Sequence, residues 1–338
     1  MASRVAFSQV GVKRLPRFDA AAHFPWSLVR WLTWVALADW LIGRTFSRSA
    51  IFMPKPPLVL TIYRVFTVAG QLAAVLTGLL ALGMLGWIAW HEWQTRRIIW
   101  LPLVLLAQAG LSLVFLFVAP AGWWPVVYQG LSLGAVGLIL GFGIYGLRFT
   151  IYGHDGTGAG SKRRQATKQV MVLLLPALAL LSGKLYQTLP ALYTAMQWPG
   201  PPPLTELFFN LGELCVVLSS AGLWFAYGRG ASRRTWLVAA VPALAFSGMY
   251  LANPAMSGIL TIWSNGLSLY LPWPLYAVSL WLAGVTVLVS LRRKRLAGWA
   301  LLLLAAGGYT PQLSTQTFLG LIALWLLAQS IRLPTRRA

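Results

Sequence analysis

Lys184, Gln187 and Thr188 sit close together inside one long apolar stretch, and Glu206, Asn210 and Glu213 sit inside the next. The second set is spaced i, i+4, i+7, which puts its members on one helical stripe about 60° wide. The first set forms a similar stripe. Ionisable groups within a membrane span cost about 2.5–3.5 kcal/mol each on insertion scales, and they persist where they are paired or used. Counting at 1.5 Å per residue, Lys184 lies about 9 Å inside the end of its helix near Pro190, and Asn210 and Glu213 lie about 8–12 Å inside the start of the next. Lys184 is therefore expected to meet Glu213 or Asn210 across a helical hairpin over 169–227. Such a cluster can hold a polar solute or pass a proton. A neutralised interhelical pair that only secures the hairpin accounts for the same residues slightly better, because Glu206 lies near the interface and can be wet.

Other polar residues carry weaker expectations. Asp39 has Arg44 one turn away as a local partner, and Gln71, Gln108 and Gln129 are single amides of the kind that bond between helices. His91 and Glu92 could form an acid–base pair, but without a nucleophile or metal partner they read as a polar edge at the headgroup level. The loop from Gly153 to Arg164 places glycines beside Lys162, Arg163 and Arg164. Its order, Gly160-Ser161-Lys162, departs from the phosphate-loop pattern, so a flexible basic loop against anionic lipid is expected rather than a nucleotide site. His23, His91 and His154 are far apart and Cys215 is the single cysteine, which excludes an intramolecular disulfide and a Cys-based metal cluster. No cofactor or metal site is expected.

The elements that carry these residues follow from charge and hydropathy. The chain is 58% hydrophobic and 10% charged, with mean hydropathy +0.69. A soluble domain carries about 25% charged residues. The net charge of +21 would suggest nucleic acid in a soluble protein, but the charges fall between apolar stretches, so membrane orientation and anionic headgroups explain them better. Of 27 basic residues, 17 lie in the gaps 91–97, 148–168, 228–234, 292–295 and 332–338, while 119–125, 191–204, 252–272 and 310–315 have none. This alternation marks a chain threaded through a membrane with its basic gaps cytoplasmic.

Nine strong spans are expected, at 66–90, 98–118, 124–147, 169–190, 205–227, 235–252, 273–291, 296–309 and 316–331, against the roughly 20 apolar residues a crossing needs; the eighth is short and either extends through Tyr309 to Leu313 or spans only part of the bilayer. Parity then requires 26–47 to cross as a weaker first span, although its Trp residues and its polar face of Ser27, Arg30, Thr33 and Arg44 also suit an interfacial helix. The fold class is an all-α polytopic bundle of about ten helices. Residues 1–24 and 332–338 form cytoplasmic basic ends around a single transmembrane domain, 25–331. Residues 1–24 contain no signal peptide pattern.

Prolines recur early in three spans, Pro102, Pro176 and Pro242, as if one helical hairpin were reused. The segment 252–274, with Pro254, Asn265-Gly266, Pro272 and Pro274, reads as an outer surface segment or a re-entrant half-helix. Gly134, Gly137, Gly141, Gly143 and Gly146 permit close helix approach and an oligomer face.

Three functional readings follow. The first is a transporter or permease with its polar site on the 169–227 hairpin, in a bacterial plasma membrane. The second is a non-catalytic subunit or assembly partner of a larger membrane complex. The third is an intramembrane lipid-modifying enzyme using Glu92, Asp155 or Glu206.

Overall fold

The computed structural model describes residues 24–40, 42, 57–95, 100–115, 117–152, 159–200, 295–308 and 314–332, with scattered positions between 202 and 215 and at 285. Among them every regular element is helical: α1 (Trp26–Ala38), α2 (Pro57–Thr95), α3 (Trp100–Val114), α4 (Trp124–Tyr152), α5 (Ala159–Met196), α6 (Arg295–Leu303), a π-helical turn (Leu304–Gly308) and α7 (Ser314–Arg332). Three stretches are long and apolar enough to cross a membrane: Arg64–Thr95, Trp124–Tyr145 and Val172–Met196. Trp100–Val114, Leu296–Ala306 and Thr315–Ser330 are shorter apolar helices. The expected spans 205–227, 235–252 and 273–291 and the broken segment 252–274 lie outside the described residues, apart from single positions.

α7 is the post of the bundle. Its sequence is apolar on every side, and a helix of that kind is stable only when surrounded. It packs against α2, α4, α5, α6 and the π-helical turn. Every residue from Gln316 to Gln329 is buried. α2 behaves differently. Its inner face buries Ala81, Met84, Leu85 and Ile88, while Val65, Val68, Leu72, Val75 and Leu79 project outward at helical spacing.

α4 and α5 form the most extensive helix pair. Their approach is close at Gly143, where an added Cβ would collide with Leu173 Cδ2. The α3–α4 connection turns through Gly122, at φ +60, a conformation that favours glycine. Pro102 lies in the first turn of α3, where a missing N–H breaks no helical bond.

Several boundaries depart from the sequence expectation: α2 begins at Pro57 rather than 66, α3 ends at Val114 rather than 118, α4 continues to Tyr152, and both ends of α5 lie beyond 169–190. α5 begins at Ala159, so Lys162, Arg163 and Arg164 belong to its first turns rather than to a flexible loop. It also runs through Pro190 to Met196. A proline inside a helix frees the carbonyl four residues earlier. Here that residue is Tyr186, on the exposed side of α5 like Pro190 itself.

Candidate functional site

A polar seam runs through the apolar packing of α3, α4 and α5. α5 contributes Lys184, Gln187 and Thr188 from one stripe, α4 contributes Tyr128, Gln129 and Ser132, and α3 contributes Gln108 and Ser112. Lys184 is only 2% exposed. Its Nζ donates to Gln129 Oε1 and to Gln187 Oε1, both at 3.1 Å, and lies 5.9 Å from the centroid of the Tyr128 ring. The ammonium thus rests among amide oxygens and an aromatic face, both of which attract a cation. Thr188 Oγ1 donates to the Lys184 carbonyl at 2.6 Å, within the helix.

Tyr128 links this group to α3. Ser112 Oγ donates to Tyr128 Oη at 3.1 Å. Gln108 Nε2 donates to Ser132 Oγ at 2.7 Å, and Ser132 Oγ donates to the Tyr128 carbonyl at 3.1 Å. Gln108 is fully buried, and its Oε1 accepts no hydrogen bond among the described residues. Buried amide oxygens are nearly always satisfied, so this one marks a place where a donor fits.

The seam sits near one end of α4 but well inside α5. Gln129 is five residues from the start of α4, about 8 Å, while Lys184 is twelve residues from the end of α5, about 18 Å. α5 therefore overhangs the α3–α4 turn by about 10 Å. Tyr193 and Trp198 pack edge to face on this overhang, with ring centroids 5.0 Å apart.

The sequence-predicted residues divide accordingly. Lys184 and Gln187 are brought together by a direct hydrogen bond. Glu206, Asn210 and Glu213 lie outside the described residues, as do Arg44 and Asp155. Asp39 is buried at the end of α1, in a π-type turn. Gln108 and Gln129 bond between helices as expected, whereas Gln71 is exposed on α2.

Sequence reasoning missed a second polar centre. Glu92 is fully buried, not a wet edge. Its Oε1 accepts from Trp325 Nε1 at 2.9 Å and from Gln329 Nε2 at 3.2 Å. Around it, Trp87 stacks on His91 at 5.1 Å and meets Trp325 edge-on at 5.8 Å, while Phe24 packs edge-on against Trp87 at 5.3 Å. A signal was present in the chain. Trp325 and Gln329 are i, i+4 on the final apolar stretch, and Gln329 precedes Arg332 by about as many residues as Glu92 precedes Arg96.

Among the described residues no group of three or more His, Cys, Asp or Glu side chains is placed to hold a metal ion. The chain matches no family model, no curated protein and no solved structure.

Proposed function

We propose that this chain is a polytopic helical protein of a bacterial plasma membrane, and that the seam around Lys184 is the binding position of a transporter or permease for a small polar or ionic solute. The membrane reading is supported by three sufficiently long apolar helices. The outward apolar stripe of α2 adds to it, since such a surface is stable against lipid and costly against water. The proposed topology has about ten spans, with 1–24 and 332–338 cytoplasmic and the basic face against anionic headgroups.

The aromatic cluster supports that parity. Phe24, just before α1, meets Trp87 near the end of α2 and Trp325 near the end of α7. The start of α1 and the ends of α2 and α7 then share one side, and in the sequence they adjoin the N-terminal basic segment and the basic gaps 91–97 and 332–338. α1 also touches both α6 and the π-helical turn that continues it. That contact favours a crossing helix over one lying flat in the interface.

The observation that carries the transport reading is the combination of a buried lysine with Gln108 Oε1, a buried acceptor without a donor among the described residues, in one connected seam. An interhelical pair that only secures two helices has no need of a third helix or of an unmet acceptor. Charge-displacement currents test it, recorded from proteoliposomes on a solid-supported membrane and challenged with a panel of small organic anions, organic cations and inorganic ions. The expected result is a current with at least one solute that Lys184→Met abolishes while the protein remains monodisperse. Currents absent for every solute, or unchanged in Lys184→Met, overturn the reading.

One observation favours the second reading, a subunit of a larger assembly. Gly130, Gly134, Gly137 and Gly141 line an exposed face of α4, and a Cβ added at any of them meets nothing within 4 Å. Small-residue faces of this kind suit close contact with another helix. A stoichiometric second polypeptide after extraction in mild detergent would favour the subunit over a transporter that works alone.

A further inference from the structure

We propose that the first half of α2 carries a binding site for an anionic phospholipid, with Arg64 on the phosphate, Gln71 at the level of the ester carbonyls, and Val68 and Val75 along the acyl chains. The inference rests on the membrane reading above and is independent of the transport reading. Arg64, Val68, Gln71 and Val75 are spaced i, i+4, i+7, i+11, so they form one stripe along α2. All four are exposed on the surface of the bundle. Arg64 and Gln71 make no hydrogen bond or ion pair among the described residues. The chain has no acidic residue between Asp39 and Glu92 to neutralise Arg64 locally.

Aromatic residues set the depth of this stripe, because Trp and Tyr collect at the two edges of the hydrocarbon. On α4, the exposed Trp124 and Tyr145 are about 31 Å apart at 1.5 Å per residue, close to a hydrocarbon thickness of about 30 Å. On α2, the exposed Trp90 and Trp93 mark the far edge. Counting back about 30 Å from Trp90 reaches Gly70. Gln71 therefore lies at the near edge, where lipid ester groups begin. Arg64 lies about 9 Å further out, at the polar layer that adds roughly 5–8 Å per side.

Charge then selects the lipid. A lone arginine at this end of α2 runs against the bias of basic residues towards the cytoplasmic side. Its planar fork matches two phosphate oxygens. A zwitterionic headgroup brings its own cation to the phosphate and gains less from a guanidinium than an anionic headgroup does. Gln71, at the hydrocarbon edge, has amide donors for an ester carbonyl.

Lipid-selective quenching on the full-length chain in nanodiscs tests this. In a Cys215→Ala background, Val75→Cys carries a neutral bimane label. The bilayer is phosphatidylcholine with a minor fraction of nitroxide-labelled lipid, either phosphatidylglycerol or phosphatidylcholine, with the nitroxide near the ester end of the acyl chain. The phosphatidylglycerol quencher is expected to be enriched about fivefold over the phosphatidylcholine one, the ratio equivalent to about 1 kcal/mol per basic residue near an anionic surface. Arg64→Gln is expected to bring the ratio to one, and Arg64→Lys to keep part of it. Equal quenching in the parent, or a preference that survives Arg64→Gln, overturns the site and leaves the membrane reading standing. Quenching absent at Val75→Cys but present at Leu79→Cys means that protein covers the stripe, which also overturns the site. Quenching absent at both positions overturns the membrane reading and the site together.

Discussion

Lys184 and Gln129 make opposite predictions that conventional contact counting would miss. Replacing Gln129 by Leu removes one acceptor from an ammonium that stays 2% exposed. A hydrogen bond to a charged group contributes about 1.5–3 kcal/mol, and the charge left behind is still enclosed. Replacing Lys184 by Met removes the charge itself. That relieves about 2.5–3.5 kcal/mol of burial cost, and it leaves the Gln129 and Gln187 oxygens unmet at about 1–3 kcal/mol each. The balance for Lys184→Met runs from about −1.5 to +3.5 kcal/mol and centres near a cost of about 1 kcal/mol, while Gln129→Leu costs about 2–3 kcal/mol. Thermal unfolding in detergent resolves the difference, at about 2–4 °C per kcal/mol for a domain of this order of size. Gln129→Leu is expected to unfold about 5 °C or more below the parent, and adding Lys184→Met is expected to recover part of the loss. If Lys184→Met is the more damaging single change, or if it fails to rescue Gln129→Leu, then the lysine is a net structural tie and the reasoning that treats it as a costly, retained group is wrong.

Other outcomes follow from the same packing. Gly143→Val is expected to cost about 1–3 kcal/mol by overpacking against Leu173, read as a lower unfolding temperature. Gly137→Trp falls on an exposed face with open space and is expected to leave the unfolding temperature unchanged; a change in native mass on that substitution would identify the face as an interface. Ser112→Ala is expected to cost about 0.6 kcal/mol, typical of hydrogen bonds between helices in membranes, as it removes the donor to Tyr128. In a Cys215→Ala background, Ala121→Cys is expected to react with an impermeant thiol reagent from outside sealed cells and Gln94→Cys only after the membrane is opened; the reverse pattern would invert the topology.

The helices were legible because an apolar run bounded by charge leaves few alternatives. α2, α4 and α5 contain the expected runs 66–90, 124–147 and 169–190 and extend beyond them. Lys184 was legible because no other basic residue falls within a strong expected span. Its partner Gln129 was visible only as an isolated amide, since the register between α4 and α5 is set by tertiary packing at places such as Gly143. Glu92 was misread for a related reason. Its place at the end of the 66–90 run, with no nucleophile or metal partner in view, reads as a polar edge at the headgroup level, whereas α7, which encloses it, contributes residues more than two hundred positions away. The apolar run puts the outer end of its helix near Pro190, yet α5 passes through that residue. A proline removes one N–H and leaves the rest of the helical ladder intact, so by itself it does not fix where a helix ends.

In the proposed topology the gaps 119–125 and 191–204 face outward, so the Lys184 seam near that end is expected to be reached from the outer face, and Thr188 reports on it most directly. Thr188 lies one turn beyond Lys184 on the same stripe and is half-buried. In a Cys215→Ala background, Thr188→Cys is expected to react with a small membrane-impermeant methanethiosulfonate applied outside sealed cells, while Ile88→Cys, enclosed near the Glu92 end, does not react. A Thr188→Cys that stays unmodified, or that reacts only from the cytoplasmic side, would contradict a path from the outer face to Lys184.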